Sequence, residues 1–116
     1  MPAMTRATRF SQLSAPERTL VRILQSINFG SIELLVVRGG EPVFSPEPTV
    51  LVELKLDSEP EPRPESDIAD FELRAEITRL LAQIDHLGDG SIERIEVRHG
   101  IPWRMVIERS LRGGRR

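Results

Sequence analysis

Apolar residues fall at helical spacing twice along the chain, sixty residues apart. Leu13, Leu20, Leu24 and Ile27 are separated by seven, four and three positions, and Leu73, Leu80, Ile84 and Leu87 repeat that spacing downstream. Residues so spaced share one face of an α-helix. After each stretch comes a segment that reads as a strand, and the two segments are nearly the same. GSIELLVVRGGEP at residues 30–42 and GSIERIEVRHGIP at residues 90–102 agree at eight of thirteen positions, where about one match is expected by chance. The sixty-residue shift needs no gap between residues 13 and 44, so the pattern predicts an internal repeat of helix followed by hairpin.

Start and stop signals bound the helices. In SAPE, Ser14 is a cap, Pro16 sits in the first turn and Glu17 completes a capping box, which predicts a helix over residues 15–28. Gly30 then turns the chain out with a positive backbone angle. In the second copy Ser66 or Asp67 is the candidate cap. Phe71, Leu73, Ile77, Leu80, Leu81 and Ile84 fill one face until the glycines at 88 and 90, which predicts the longer helix of the two.

Strands are expected over residues 31–37 and 91–97. Gly40 and Gly100 match between the copies, whereas Gly39 corresponds to His99. A requirement for glycine at the second position alone predicts a three-residue loop closed by a glycine bulge. That register sets Val97 opposite Ile101, Ile95 opposite Trp103 and Glu93 opposite Met105, keeping one face apolar, while a two-residue turn sets Ile95 opposite Arg104. By the same logic Leu35, Val37 and Val43 point inward in the first copy.

On the reverse face the copies diverge, because Leu34 and Val36 correspond to Arg94 and Glu96. The first copy's outer face is therefore expected to touch something. The first copy also continues into PTVLVELKL, where Val50, Val52, Leu54 and Leu56 alternate as in a further strand. The expected fold class is α+β, two αββ repeats with antiparallel β-hairpins packed about a pseudo-twofold axis. Residues 1–13 are a flexible N-terminus, 14–56 the first repeat with its extra strand, 57–66 an acidic Pro-rich linker, 67–108 the second repeat and 109–116 a basic tail. One αββ unit has too little interior to be stable alone, and two related by a twofold axis complete each other's core.

The stretch ILQSINFGSIELLVVRGGEPVF at residues 23–44 resembles the short YezD-like bacterial proteins, a family of uncharacterised small domains. Phe29, Gly30, Ser31, Ile32 and Gly40 carry the likeness in the first copy, and Gly90, Ser91, Ile92 and Gly100 in the second, where Asp89 replaces the aromatic residue. The resemblance covers about half of the chain. It implies a helix and a two-stranded hairpin per copy, arranged here in tandem, and no catalytic residues.

Composition narrows the function classes. With 116 residues, 39% hydrophobic and 29% charged, the chain can bury a core. It has no cysteine, which removes thiolate zinc sites, disulfides and thiol nucleophiles. Its early arginines interrupt any apolar run, so neither a secretory signal nor a membrane span is expected, and the expected compartment is the cytoplasm. The net charge of −2 conceals an acidic stretch at residues 57–72 and a basic one at residues 104–116, the usual mark of solvated linkers and tails.

No arrangement of reactive side chains points to an enzyme, a cofactor or a metal. His86, Asp85 and Asp89 straddle a helix end, where such residues cap, and His99 falls in a turn. Ser31 and Ser91 follow glycines without a base common to both copies, and Glu33 and Glu93 read as strand carboxylates paired with arginine. The sole tryptophan, Trp103, reads as core. The expected function is a protein-binding or adaptor module acting through its sheet, with an unidentified protein or a second copy as partner and Leu34, Val36, Val50, Val52 and Leu54 as contacts. The alternative is nucleic-acid binding through Arg38, Arg94, Arg98, Arg104 and Arg112. The shortage of stacking aromatics and the acidic balance weigh against it.

Overall fold

The computed structural model describes residues 7–57 and 70–108. The first helix, α1 (Ala15–Ser26), starts where its capping box dictates: the Ser14 hydroxyl accepts from the Glu17 amide at 3.3 Å, and the Glu17 carboxylate accepts from the Ser14 amide at 3.0 Å. It ends short of residue 28, because Ile27 leaves helical geometry while its side chain stays fully buried. The second helix, α2 (Ala75–Leu87), begins later than the sequence pattern predicts, and the candidate caps Ser66 and Asp67 lie outside the described residues. Phe71 and Leu73 belong instead to an extended segment ahead of it. The Phe10 amide donates to the Phe71 carbonyl at 2.9 Å, and the Leu73 amide donates to the Thr8 carbonyl at 2.8 Å.

Of the expected flexible terminus, residues 1–6 lie outside the described residues, as do the expected linker at 58–66 and tail at 109–116, while residues 8–13 pack on the fold. Phe10 and Leu13 are buried, Phe10 stacks on Phe71 at 4.9 Å, and a 3-10 turn forms at Phe10–Gln12. Asp70 fastens the segment by accepting from Arg9 at 2.9 Å and from the Ser11 amide at 2.8 Å. These bonds, the arginine's first, hold its carboxyl down at about 2, below the usual aspartate range.

Among the described residues, five strands form one antiparallel sheet: β1 (Phe29–Arg38), β2 (Glu41–Val43), β3 (Thr49–Val52), β4 (Gly90–Arg98) and β5 (Ile101–Ile107). The fold class is therefore α+β. The spatial order is β2–β1–β4–β5, with β3 also on β1. Both β2 and β3 run antiparallel to β1 and occupy successive stretches of its edge, β2 beside residues 36–38 and β3 beside residues 30–33. The two hairpins share the sheet through β1 and β4, whose register pairs Ile32 with Ile95 and Leu35 with Ile92. All four side chains are fully buried. With Val37 and Val97 they join Leu20, Val21 and Leu24 of α1 and Ile77, Leu80, Leu81 and Ile84 of α2 in one core cluster.

The hairpins turn in two residues rather than three. Gly39 and Gly40 have φ of 60° and 77°, and His99 and Gly100 have φ of 54° and 72°, the left-handed pair that a two-residue hairpin needs. Histidine is among the side chains that enter this region most readily. Arg98 thus pairs with Ile101 and Val97 with Pro102, and a register shift then skips Trp103 so that Ile95 meets Met105. The apolar face survives because a bulge, rather than the loop, absorbs the extra residue. In the first hairpin Pro42, opposite Val37, is the inward residue, and Val43 lies opposite Val36 on the other face.

Alternation also breaks inside the central strands. Ile32 and Leu35 both point into the core although three residues apart, and the intervening Leu34 holds φ of 62°.

Candidate functional site

The edge strand β3 owes its position to a missing side chain. The Leu51 carbonyl rests against Gly30 so closely that any β-carbon there collides with it, which gives Gly30 a role beyond leaving the helix. Beside it the Glu53 amide donates to the Phe29 carbonyl at 2.7 Å. Residues along a strand direct their amides and carbonyls alternately to the two sides. With Glu53 facing β1, Val52 and Leu54 present theirs to the open edge. Because β1 begins at Phe29, Leu54 and Lys55 run past its end before the chain bends at Leu56.

All four residues of β3 are exposed, as are Leu54 at 71% and Leu56 at 95%. Val50 pairs with Ile32 and Val52 with Gly30, whereas Leu51 pairs with Ser31 on the opposite face. One face of this edge is therefore apolar, and Leu51 adds an exposed apolar side chain to the other, between Thr49 and Glu53, where strict alternation hid it. The uninterrupted run of valine and leucine at residues 50–52 was the available signal. The other edges are guarded. Pro42 stands in β2, and β5 carries Pro102 and the bulge at Trp103, both devices that discourage strand addition. The β3 edge has neither.

Leu34 is 57% exposed and Val36 half-buried on the face of the sheet opposite the core. Leu34 borders a shallow groove of about 550 Å³ with Glu33, Glu93, Arg94, Glu96 and Arg104. Arg94 meets Glu33 at 3.0 Å and Glu96 at 3.7 Å, and Arg104 meets Glu96 at 3.0 Å. Adding Glu108, the groove holds four carboxylates against two guanidinium groups.

The other arginines do not join them. Arg38 lies at one end of β1, while Arg98 pairs with Phe29 at the other, roughly 30 Å away at the usual rise per residue. The Arg98 guanidinium stacks on Trp103 at 4.0 Å, and that tryptophan, expected in the core, is 44% exposed. Arg112 lies outside the described residues.

Asp85, Asp89 and His99 have local structural partners. Asp89 accepts from the Gly39 amide at 3.0 Å, and Asp85 packs under Gly40, so both brace the first hairpin from the end of α2. His99 meets the Phe29 ring edge-on at 4.7 Å. Ser31 is buried and Ser91 exposed. Among the described residues no group of three or more His, Cys, Asp or Glu clusters as a metal site needs. In the same set, no helix is long and apolar enough to cross a membrane.

Comparison with protein-family models, with curated proteins and with solved structures gives no match.

Proposed function

We propose that this chain is a non-enzymatic, cytoplasmic protein-binding or adaptor module whose working surface is its sheet. The observation that carries the reading is the β3 edge, exposed and apolar at Val50, Leu51 and Val52, with neither proline nor bulge in the strand. A strand edge of this kind adds a strand from another chain through its backbone groups, with side-chain fit supplying specificity. Leu34 and Val36 on the open face are the second contact area.

The module is a tandem duplication in the YezD-like manner, its halves related by a pseudo-twofold axis. Support comes from the central register: exchanging each residue for its counterpart sixty positions away turns Ile32–Ile95 into Ile92–Leu35, and Ser31–Glu96 into Ser91–Val36, both of which are paired. The Gly40 amide donates to Gly88 at 2.8 Å, and its counterpart Gly100 donates to Asn28, the counterpart of Gly88, at 3.1 Å. Each hairpin tip is thus tied to the end of the other copy's helix, the reciprocity of an isologous contact.

Nucleic-acid binding has weaker support, since Arg94 and Arg104 are neutralised in an acidic groove and Arg38 and Arg98 sit far apart. Affinity recovery from native extract, using the tagged chain beside its Leu51→Glu/Leu54→Lys variant, tests the main reading. A stoichiometric protein partner, a second copy included, is recovered by the parent and lost by the variant. Salt-sensitive retention of nucleic acid by both chains, or a protein partner held equally by both, overturns it.

A further inference from the structure

Resting on the reading of the β3 edge as the working surface, we propose its occupant: a second copy of this chain, antiparallel to the first through residues 52–56, about a twofold axis at Leu54. The main chain restricts the registers. Because Glu53 bonds inward to Phe29, the groups offered outward belong to Val52 and Leu54; the single chain bends at Leu56, and straightening there on pairing adds Leu56 to the row, each outward residue facing its own kind in the partner. Charge then chooses among the remaining registers. An axis at Glu53 sets that carboxylate against itself, an axis at Lys55 does the same for the ammonium group, and directly opposed like charges destabilise a strand pair. An axis at Val52 leaves Glu53 facing Leu51, and an axis at Leu56, which pairs Lys55 with Asp57, would centre the ladder where the chain bends. An axis at Leu54 sets Glu53 opposite Lys55 of the second copy and Lys55 opposite its Glu53, two opposite-charge pairs from the only lysine in the chain.

The same axis places Leu54 against Leu54, and Val52 against Leu56 twice, in an apolar row. That row lies on the face of the sheet where Val50 stands beside the buried Ile32, so it extends the apolar side of the sheet across the interface. Leu54 and Leu56, exposed at 71% and 95% in the single chain, become its centre. A continuous sheet then runs through both copies and removes the unguarded edge from each, which is the physical reason for strands of this kind to pair.

The full-length chain tests this directly. Sedimentation equilibrium is run on the wild type, Glu53→Lys, Lys55→Glu and the double exchange. Each single reversal sets like charges opposite each other at both symmetry-related positions and weakens the dimer by roughly tenfold or more, while the double exchange restores it. Leu54→Cys supplies a thiol to a chain that has none. Hydrogen-bonded residues in antiparallel strands stand about 5.5 Å apart at Cα, within disulfide reach, so mild oxidation links two Leu54→Cys chains while Trp103→Cys on the opposite edge stays unlinked. All substituted positions are exposed, and circular dichroism verifies that each variant is folded. A wild type that stays monomeric to several hundred micromolar overturns the inference while leaving a different protein partner at this edge open. A dimer indifferent to the charge reversals overturns the inferred register, and one that links through Trp103→Cys and not Leu54→Cys overturns both the inference and the edge as the working surface.

Discussion

The carbonyl oxygen of Leu51 lies against the α-carbon of Gly30, so the first glycine of the repeated GSIE motif is the floor on which β3 rests. Gly30→Ala is expected to lift β3 from β1 while sparing the central β1–β4 pairing. Hydrogen exchange then shows the Leu51 and Glu53 amides losing protection, with those around Ile32 and Ile95 keeping theirs. The stability loss is about 1–3 kcal/mol. Unchanged protection at residues 49–53 contradicts this account of Gly30. A β-carbon at Gly90 has the Leu87 side chain as its nearest neighbour, at 3.5 Å, so Gly90→Ala is the contrasting control.

The two glycines of the first turn should behave differently. Both hold positive φ, but a β-carbon at Gly39 meets nothing within 4 Å, whereas at Gly40 it meets the Asp85 carboxylate at 2.7 Å and its α-carbon at 3.3 Å. Gly39→Asn is expected to stay within about 0.5–1 kcal/mol of the wild type, since asparagine enters the left-handed region readily. Gly40→Ala adds steric conflict to backbone strain and costs about 2–3 kcal/mol. Urea denaturation reads both, and equal losses refute the packing argument.

How far the fold was legible follows from these particulars. Helical periodicity found the buried faces of α1 and α2 because a helix that packs on a sheet must keep its apolar stripe. It misjudged the start of α2 because Phe71 and Leu73 continue the stripe by chance of spacing while their backbone pairs with residues 8–10. A two-residue turn still keeps the apolar face because Trp103 is skipped, and a bulge repairs a register that the loop length alone would forbid. Pairing between β1 and β4 leaves no local trace, since it joins residues some sixty positions apart. On the candidate surface, Val50, Val52, Leu54 and Leu34 were legible as apolar residues out of place. Leu51 was not, because its neighbours on the same face, Thr49 and Glu53, make that face read as the polar one.

Asp70 makes the tie of the N-terminal segment depend on acidity. Its carboxyl is held at about 2, first by the hydrogen bond from Arg9 and next by the Ser11 amide. A group whose folded value lies below its unfolded value stabilises above the unfolded value, near 4, and loses that contribution as the pH falls through the folded one. Wild type is therefore expected to exceed Asp70→Asn in stability at pH 5–7, with the difference closing between about pH 4 and 2. Denaturation of the two chains in parallel cancels the titration of their shared carboxylates. A difference independent of pH across that window contradicts the assignment.

Leu34 combines three features that folding does not require together: it is apolar, it is 57% exposed, and its backbone is held at φ of 62°. A branched side chain in the left-handed region costs roughly 1–2 kcal/mol relative to glycine, partly offset by the greater freedom of glycine in the unfolded chain. Leu34→Gly is accordingly expected to leave stability unchanged or raise it by about 0.5–1 kcal/mol. The conformation that carries this cost also lets Ile32 and Leu35 both enter the core, so the backbone needs the kink, but not the leucine. If the open face is a second contact area of the sheet, Leu34→Gly weakens recovery of a partner by the tagged chain although the fold is as stable as before. A loss of stability in that variant assigns Leu34 to packing and removes it from the proposed surface, whereas gained stability with partner recovery intact leaves β3 as the working edge alone.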